Sequence, residues 1–270
     1  MTFSLSFLPQ QFYLFTEILK CFDLSKGSSM CYIEVTSQSF AVYQTFTSTF
    51  ICSAVFPSNF FSSYVVDDTP VTFGLNLDNW IQLTDGLIDR TSSRISIFLD
   101  LTSCFITEVS DAFHTVRARL VTTYDSEPLS NVGYQPNENN IKLITGIGIM
   151  STATSDLGAN FNTRLSFTSE TLEIEGSFTV VLNRSEQSSN DGEFTPDQIV
   201  IVCNEPSQYF YNGQSFKRAT STPLTKPSLF CGVRFAVDNR GVLEVFYINA
   251  SMSSVRFSMQ MLPEIEIDFD

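Results

Sequence analysis

Apolar positions along this chain recur in two rhythms, and the changes from one to the other mark out its elements. Between positions 9 and 22, Phe12, Phe15, Leu19 and Phe22 fall at i, i+3, i+7 and i+10, with Leu14 and Ile18 widening the stripe. That spacing predicts an amphipathic helix opening on Pro9, with Gln10, Gln11, Glu17 and Lys20 on its polar face. A second helix is predicted over 77–87, burying Leu77, Trp80, Ile81, Leu83 and Leu87 and exposing Asp78, Asn79, Gln82 and Asp85. Short β-rich runs surround these two helices: 3–8, 30–35, 39–44, 50–55, 64–66, 71–75, 95–99, 104–109 and 112–121.

The second half restarts the same way. Strands are predicted over 141–144, 164–168, 171–175, 177–182, 198–203, 228–237, 242–248 and 254–261, with a polar loop over 184–195. A weak helix is predicted over 149–160, because Gly146, Gly148 and Gly158 lower its propensity. The stretch 211–247 reads as a short helix, a Pro-containing loop and a hairpin around Asp238-Asn239-Arg240-Gly241. The stretch 74–109 has the same layout, a helix after an Asn or Asp cap followed by two β-rich runs. Trp80 and Phe216 stand 136 residues apart and Arg94 and Leu229 stand 135 apart, half the chain. A constant half-length offset predicts one α+β domain written twice, at 1–121 and 141–270. The Pro-, Asn- and acid-rich stretch 122–140 is the linker.

Composition narrows the function classes. The 270 residues are 43% hydrophobic with 26 Phe, enough for two cores of their own. The formal charge of −14 argues against a protein that wraps nucleic acid in a basic surface. The start of the chain lacks a basic leader, and no apolar run approaches the ~18 residues of a membrane span, so the expectation is neither secretion nor membrane insertion. Six cysteines, Cys21, Cys31, Cys52, Cys104, Cys203 and Cys231, show no metal-site spacing and read as mostly buried thiols.

Catalytic constellations are sparse. His114 is the one histidine, and nothing in the sequence places a nucleophile beside it. Phosphate-cradling glycine motifs are absent. Carboxylates cluster at Asp67-Asp68, at Glu170, Glu173 and Glu175, and at Glu264, Glu266, Asp268 and Asp270. Alternate residues of a strand share a face, so the last two sets could ligate a metal for nuclease chemistry or form a solvated acidic edge. The expectation is no enzyme, no cofactor and no metal.

Two tandem copies of a two-helix, many-strand unit joined by an acidic linker resemble the sliding DNA clamps of the proliferating-cell nuclear antigen family. Phe216-Lys217-Arg218-Ala219-Thr220 with Pro223-Leu224-Thr225 is similar to the last helix and loop of such a clamp. Asp238-Asn239-Arg240-Gly241-Val242-Leu243 is similar to the hairpin of the Rad-one-type subunit of the heterotrimeric nine-one-one checkpoint clamp. The likeness covers the whole chain in layout and is most specific over 211–247, less so over 75–87 and 109–134. It implies a DNA clamp fold, antiparallel sheets outside and two helices per domain on the inner face. It also implies a nuclear, non-enzymatic ring built with two homologous subunits, placed around duplex DNA by a clamp loader and serving checkpoint and repair proteins.

Site residues follow from the same resemblance. Lys20, Lys217 and Arg218 are the expected DNA-facing cations. Clamps usually carry several more; here the second and third helices offer none. A closed ring is retained by topology and needs only weak phosphate contacts, and partner subunits can supply charge, so the shortage fits a heterotrimer better than a homotrimer. Subunit contacts would run along 114–120 (His114, Val116, Arg117, Ala118, Arg119, Leu120) and 177–182 (Ser177, Phe178, Thr179, Val180, Val181, Leu182). Alternatively both are outer strands of a monomer. Tyr124, Leu129 and Val132 would help form a pocket for partner peptides, or belong to a plain tether. The competing readings are a homotrimeric replicative clamp, a carboxylate-dependent nuclease, and a β-rich interaction protein with no DNA role.

Overall fold

The computed structural model describes residues 3–22, 30–67, 69–85, 94–100, 102, 104–111, 113–123, 134–135, 141–158, 162–186, 195–221, 223–250 and 254–264. It is an α+β fold whose paired strands, where register is defined, are all antiparallel. Two compact units divide the chain, the first built mainly from residues up to 130 and the second mainly from those after it.

The first unit reads β1 (Phe3–Phe7), α1 (Pro9–Leu19), β2 (Met30–Val35), β3 (Ser39–Thr47), β4 (Phe50–Pro57), β5 (Ser63–Val66), β6 (Val71–Asn76), α2 (Leu77–Asp85), β7 (Arg94–Leu99), β8 (Cys104–Ser110) and β9 (Thr115–Val121). The second reads β10 (Ile141–Gly146), α3 (Ile147–Thr154), β11 (Thr163–Phe167), β12 (Thr171–Glu175), β13 (Thr179–Asn183), β14 (Ile199–Cys203), β15 (Ser207–Tyr211), α4 (Gly213–Ser221), β16 (Phe230–Val237), β17 (Leu243–Asn249) and β18 (Arg256–Met261). Strands in the first unit lie in the orders β5-β1-β7-β8-β9 and β4-β3-β2-β6; in the second they lie in the orders β14-β10-β16-β17-β18 and β13-β12-β11-β15. Renumbered from the start of each unit, the orders are the same.

The repeat extends to individual side chains. Asn76 accepts from the Asn79 amide at 2.9 Å to start α2, and Asn212 accepts from the Gln214 and Ser215 amides at 3.1 and 3.2 Å to start α4. Such caps satisfy amides that the first helical turn cannot pair. Four residues after each cap stands the large core residue, Trp80 and then Phe216, both 0% exposed. The hairpin turns repeat too. Asp100 Oδ1 accepts from the Thr102 and Cys104 amides at 2.8 and 2.9 Å, and Asp238 Oδ1 accepts from the Arg240 and Val242 amides at 2.9 Å each.

Helix and sheet periodicities set the packing. Gln11 returns its side-chain oxygen to the Leu8 amide at 2.9 Å, and α1 then buries Phe12, Phe15, Ile18 and Leu19. The helix covers 9–19 rather than 9–22, and the helix predicted over 77–87 is described to Asp85. Helix α3 runs Ile147–Thr154 rather than 149–160: Gly146 directly precedes it, and a Cβ there would stand 1.8 Å from the Pro196 carbonyl oxygen, so that glycine answers a close backbone approach. Strand β15, absent from the sequence expectations, occupies the terminal place beside β11.

The cores differ in composition. In the first unit Trp80 packs 4.8 Å from Phe105 and 5.5 Å from Phe15 by ring centroids, and donates its indole N–H to Thr107 Oγ1 at 3.3 Å. Phe3, Phe7, Phe40, Phe56, Phe60 and Phe73 extend the ring cluster. The second unit buries Leu143, Leu165, Leu172, Ile174, Val233 and Val245, with Phe216 6.0 Å from Phe235 and a smaller ring group in which Phe230 lies 5.3 Å from Tyr247 and 5.6 Å from Phe257. Fully burying each such side chain stabilises by about 1.5–3 kcal/mol, most of which offsets chain entropy.

Candidate nucleic-acid interface and strand edges

Helix α1 packs against α2, and α3 against α4. The residues these pairs leave outward carry different chemistry. In the first pair Leu8 and Tyr13 are 57% and 53% exposed and Leu83 is 41% exposed. Its cation, Lys20, reaches Glu17 at 2.8 Å and Asp85 at 2.7 Å. Burial alone would lower the Lys20 pKa; hydrogen bonds with Asp85 and Glu17, and their charges, outweigh it and raise the value. Lys20 thus bridges α1 to α2 with its charge matched by two carboxylates.

The second pair is polar and cationic. Helix α3 has no charged residue, and α4 carries Lys217 and Arg218 with no acid. Lys217 is exposed and has no ion-pair partner among the described residues, while Arg218 is half-buried and engaged by a neighbour. Between the helices lies a cavity of about 250 Å³. Ser151 and Thr154 of α3 and its C-capping Ser155 line it on one side, Lys217, Thr220 and Ser221 of α4 on the other, with Thr225 from the loop that follows. No carboxylate lines it. Thr154, Ser155 and Thr220 donate to the Met150, Thr152 and Phe216 carbonyls at 2.9, 3.2 and 2.9 Å, whereas the Ser151 and Ser221 hydroxyls make no hydrogen bond among the described residues.

The two stretches expected to join subunits lie at terminal strands. β9 pairs only with β8 at one end of its five-stranded sheet, and its residues alternate between exposed and half-buried with none fully buried. Arg117 meets Glu108 of the neighbouring strand at 2.5 Å and Arg119 lies 3.8 Å from Asp100 in the β7–β8 turn, so both cations rest on acids of the same unit. In the preceding turn Asp111 Oδ1 accepts from the Phe113 and His114 amides at 2.7 Å each, holding Phe113 89% exposed. His114 keeps its ring 76% exposed, 3.7 Å from Asp111.

β13 pairs only with β12 and ends the other sheet order of its unit. It shows Val181 46% exposed, beside Phe178 at 38%, while Leu182 turns inward. No residue from Ser177 to Leu182 is charged. One edge is therefore guarded by paired charges and the other is neutral and apolar, a combination that permits strand addition between unlike edges. β14, with Val200 and Val202 exposed, is a further terminal strand that sequence reasoning did not single out.

Among the described residues no three His, Cys, Asp or Glu side chains group as a metal site. Glu175 is paired with Arg164, and Glu170 lies 3.9 Å from Arg184. Four of the six thiols, Cys21, Cys31, Cys52 and Cys203, are buried, and burial pushes the Cys31 thiol far up. No described helix is long and apolar enough to cross a membrane. Tyr124, Leu129 and Val132 lie outside the described residues, as do Glu266, Asp268 and Asp270. From the linker, the Gln135 amide donates to Asp238 Oδ2 at 3.2 Å. No protein-family model matches the chain, and no curated protein matches it in sequence.

Proposed function

We propose that this chain is one subunit of a heterotrimeric ring of the checkpoint-clamp type, which encircles duplex DNA in the nucleus and serves as a non-enzymatic platform for damage-signalling and repair proteins. The observation that carries the reading is one connectivity written twice, with the same Asn cap, a buried aromatic four residues after it and the same turn Asp in each copy. A duplicated unit with a helix pair in each copy is the architecture that the clamp resemblance implies. Two unlike terminal strands, β9 and β13, offer the means of closing a ring by main-chain pairing between subunits. Encirclement needs few fixed phosphate contacts, which accords with a charge of −14.

Heteromeric assembly follows from charge. With Lys20 matched by two acids, each copy of this chain offers DNA little beyond Lys217 and Arg218, and three copies would surround a polyanion with a strongly acidic protein. Two more basic relatives would correct that. Native mass measurement of the purified chain tests this: a 30.3 kDa species, joined by two different homologous chains on co-purification, is expected. A stable assembly at three times 30.3 kDa would instead establish the homotrimeric replicative clamp. The assembled ring, loaded by its loader, should stay on circular DNA and be lost when the circle is cut. Retention on open linear duplex would refute encirclement.

A further inference from the structure

Each unit finishes its last strand and sends the chain back across the same neighbour. After β9, Thr123 crosses β6: the Gly74 amide donates to the Thr123 carbonyl at 2.7 Å and the Thr123 amide donates to the Gly74 carbonyl at 2.8 Å. After β18, Glu264 crosses β15, which holds in its sheet order the place that β6 holds in the first unit. The Glu264 amide donates to the Phe210 carbonyl at 2.8 Å, and its carboxylate accepts from Asn212 Nδ2 at 3.1 Å. The return bond, from the Phe210 amide to Glu264, is not made. On its other side β15 pairs with β11 alone, so the edge beyond Phe210 is open among the described residues.

We infer that residues 265–267 continue from this contact along the open edge of β15 and add a fifth strand to the order β13-β12-β11-β15. The register follows from the one bond in place. In an antiparallel ladder a residue turns both main-chain groups to one side and the side alternates along the strand, so Gln208, like Phe210, faces away from β11. With Glu264 opposite Phe210, Glu266 falls opposite Gln208, and the ladder stops at Pro206, which has no amide to give. The same register decides which face each side chain joins. Tyr209 and Tyr211 stand opposite the buried Leu165 and Thr163 of β11, on the core face. Ile265 and Ile267 join that face, and Glu266 joins Phe210 and Gln208 on the other. A slip of one residue would reverse this and turn the carboxylates inward. The alternation Glu264-Ile265-Glu266-Ile267-Asp268 is therefore the one that the observed bond requires. Tyr209 and Pro263 both close on Gly241, where an added Cβ would stand 2.7 Å from the ring and 3.1 Å from Pro263 Cγ, so Ile265 extends a face that is already apolar.

A sheet edge covered by its own chain offers no template to another. β15 is thereby withdrawn from the edges open to strand addition, and an extended partner segment reaches it only by displacing the tail. The inference uses main-chain pairing and alternation alone, so it holds for a monomer as for a ring subunit.

Amide hydrogen exchange of the full chain, compared with a chain truncated after Glu264, tests it. In the fifth-strand arrangement the Gln208 amide donates to Glu266, and a strand in place about nine-tenths of the time slows that exchange about tenfold. Truncation should restore fast exchange at Gln208 and leave Tyr209, which bonds to β11, unchanged; the Tyr209 amide reports that the unit stays folded. A second variant keeps composition and charge but reverses the alternation: Ile265→Glu with Glu266→Ile, and Ile267→Asp with Asp268→Ile. It should exchange at Gln208 as the truncated chain does. Equal exchange at Gln208 in the full and truncated chains overturns the inference. Protection that survives the reversed alternation overturns it too, because the tail would then be held by its charge rather than by a strand register.

Discussion

The first unit ties the cation of its helix pair to two carboxylates and gathers a large ring cluster around Trp80; the second keeps its rings in a smaller group of Phe230, Tyr247 and Phe257 and leaves a helix-pair cation at the surface. Trp80 touches Phe15, Phe40 and Phe105 and donates to Thr107, whereas its counterpart Phe216 has Phe235 as its ring partner. Lys20 lies between Glu17 and Asp85, whereas Lys217 borders a cavity without acids. One connectivity thus supports two divisions of labour, because strand order is set by caps, turns and alternation while the outward helix residues are free to vary. A gene-level duplication would leave this signature: frame residues repeated in the same order at nearly constant spacing and surface residues diverged.

The largest effect expected is in the cores. Trp80→Ala and Phe216→Ala each remove a fully buried aromatic four residues after a cap, at a cost of about 3–5 kcal/mol. The Trp80 change should fall at the upper end because it also orphans Thr107 and opens a gap among three rings. Denaturant unfolding followed by circular dichroism measures both. Trp80 is the one tryptophan, so its fluorescence in Phe216→Ala reports whether the first unit stays folded when the second is weakened. Equal losses from both changes would break the contrast between the crowded rings around Trp80 and the single ring partner of Phe216.

Next come the paired turn carboxylates. Asp238 is 0% exposed and accepts from the Arg240 and Val242 amides, the Arg240 guanidinium and the Gln135 amide. Asp238→Ala should cost about 1–3 kcal/mol for each buried donor left without a partner. Asp100 does the same work at the surface. The Thr102 hydroxyl first, then the Cys104 amide, hold its carboxyl below the usual range. A lowered folded value means the stability it contributes is present above the ordinary carboxylate pKa and is lost as pH falls through the folded one. Asp100→Ala should therefore flatten the acid limb of the stability curve while costing less at neutral pH than Asp238→Ala; the reverse ranking would contradict the burial difference.

Much of this frame could be read along the chain, and the reasons it could are physical. The stripe of α1, the cap-to-core spacing shared by Trp80 and Phe216, and the turn around Gly241 all depend on local geometry; Gly241 adopts a positive φ of 80° that favours glycine. What escaped depends on contacts between distant residues. α3 was displaced because Gly146 and Gly148 count against a helix until Pro196 is seen to press on Gly146. β15 escaped because its run of Ser207, Gln208, Tyr209, Phe210 and Tyr211 buries only the last of them and shows no clean alternation. The Lys20 bridge needs Asp85, far away in sequence, and the α3–α4 cavity assembles hydroxyls that no motif connects.

Lys20→Met should cost about 1–2 kcal/mol, between the limits for exposed and buried ion pairs, since the Glu17 side chain is only 13% exposed. The raised folded pKa fixes the pH behaviour: this contribution is whole below the ordinary lysine value of 10.5 and disappears as pH rises through the folded value. A double-mutant cycle with Asp85→Asn at neutral pH isolates the bridge between helices. A coupling energy of zero would leave Lys20 a surface cation with no part in joining α1 to α2.

The smallest effect on folding belongs to Lys217. Its side chain is exposed and unpaired by any described acid, so Lys217→Ala should change stability by no more than about 0.5 kcal/mol. The two lysines should then separate along independent axes: Lys20→Met alters the unfolding midpoint and leaves the salt dependence of DNA binding alone, and Lys217→Ala does the opposite. A residue selected for a packed helix pair cannot be removed silently, and a residue held ready for a mobile polyanion can. If both substitutions moved both quantities together, the helix pairs would share one role, and the asymmetry between the units would be a matter of composition without functional consequence.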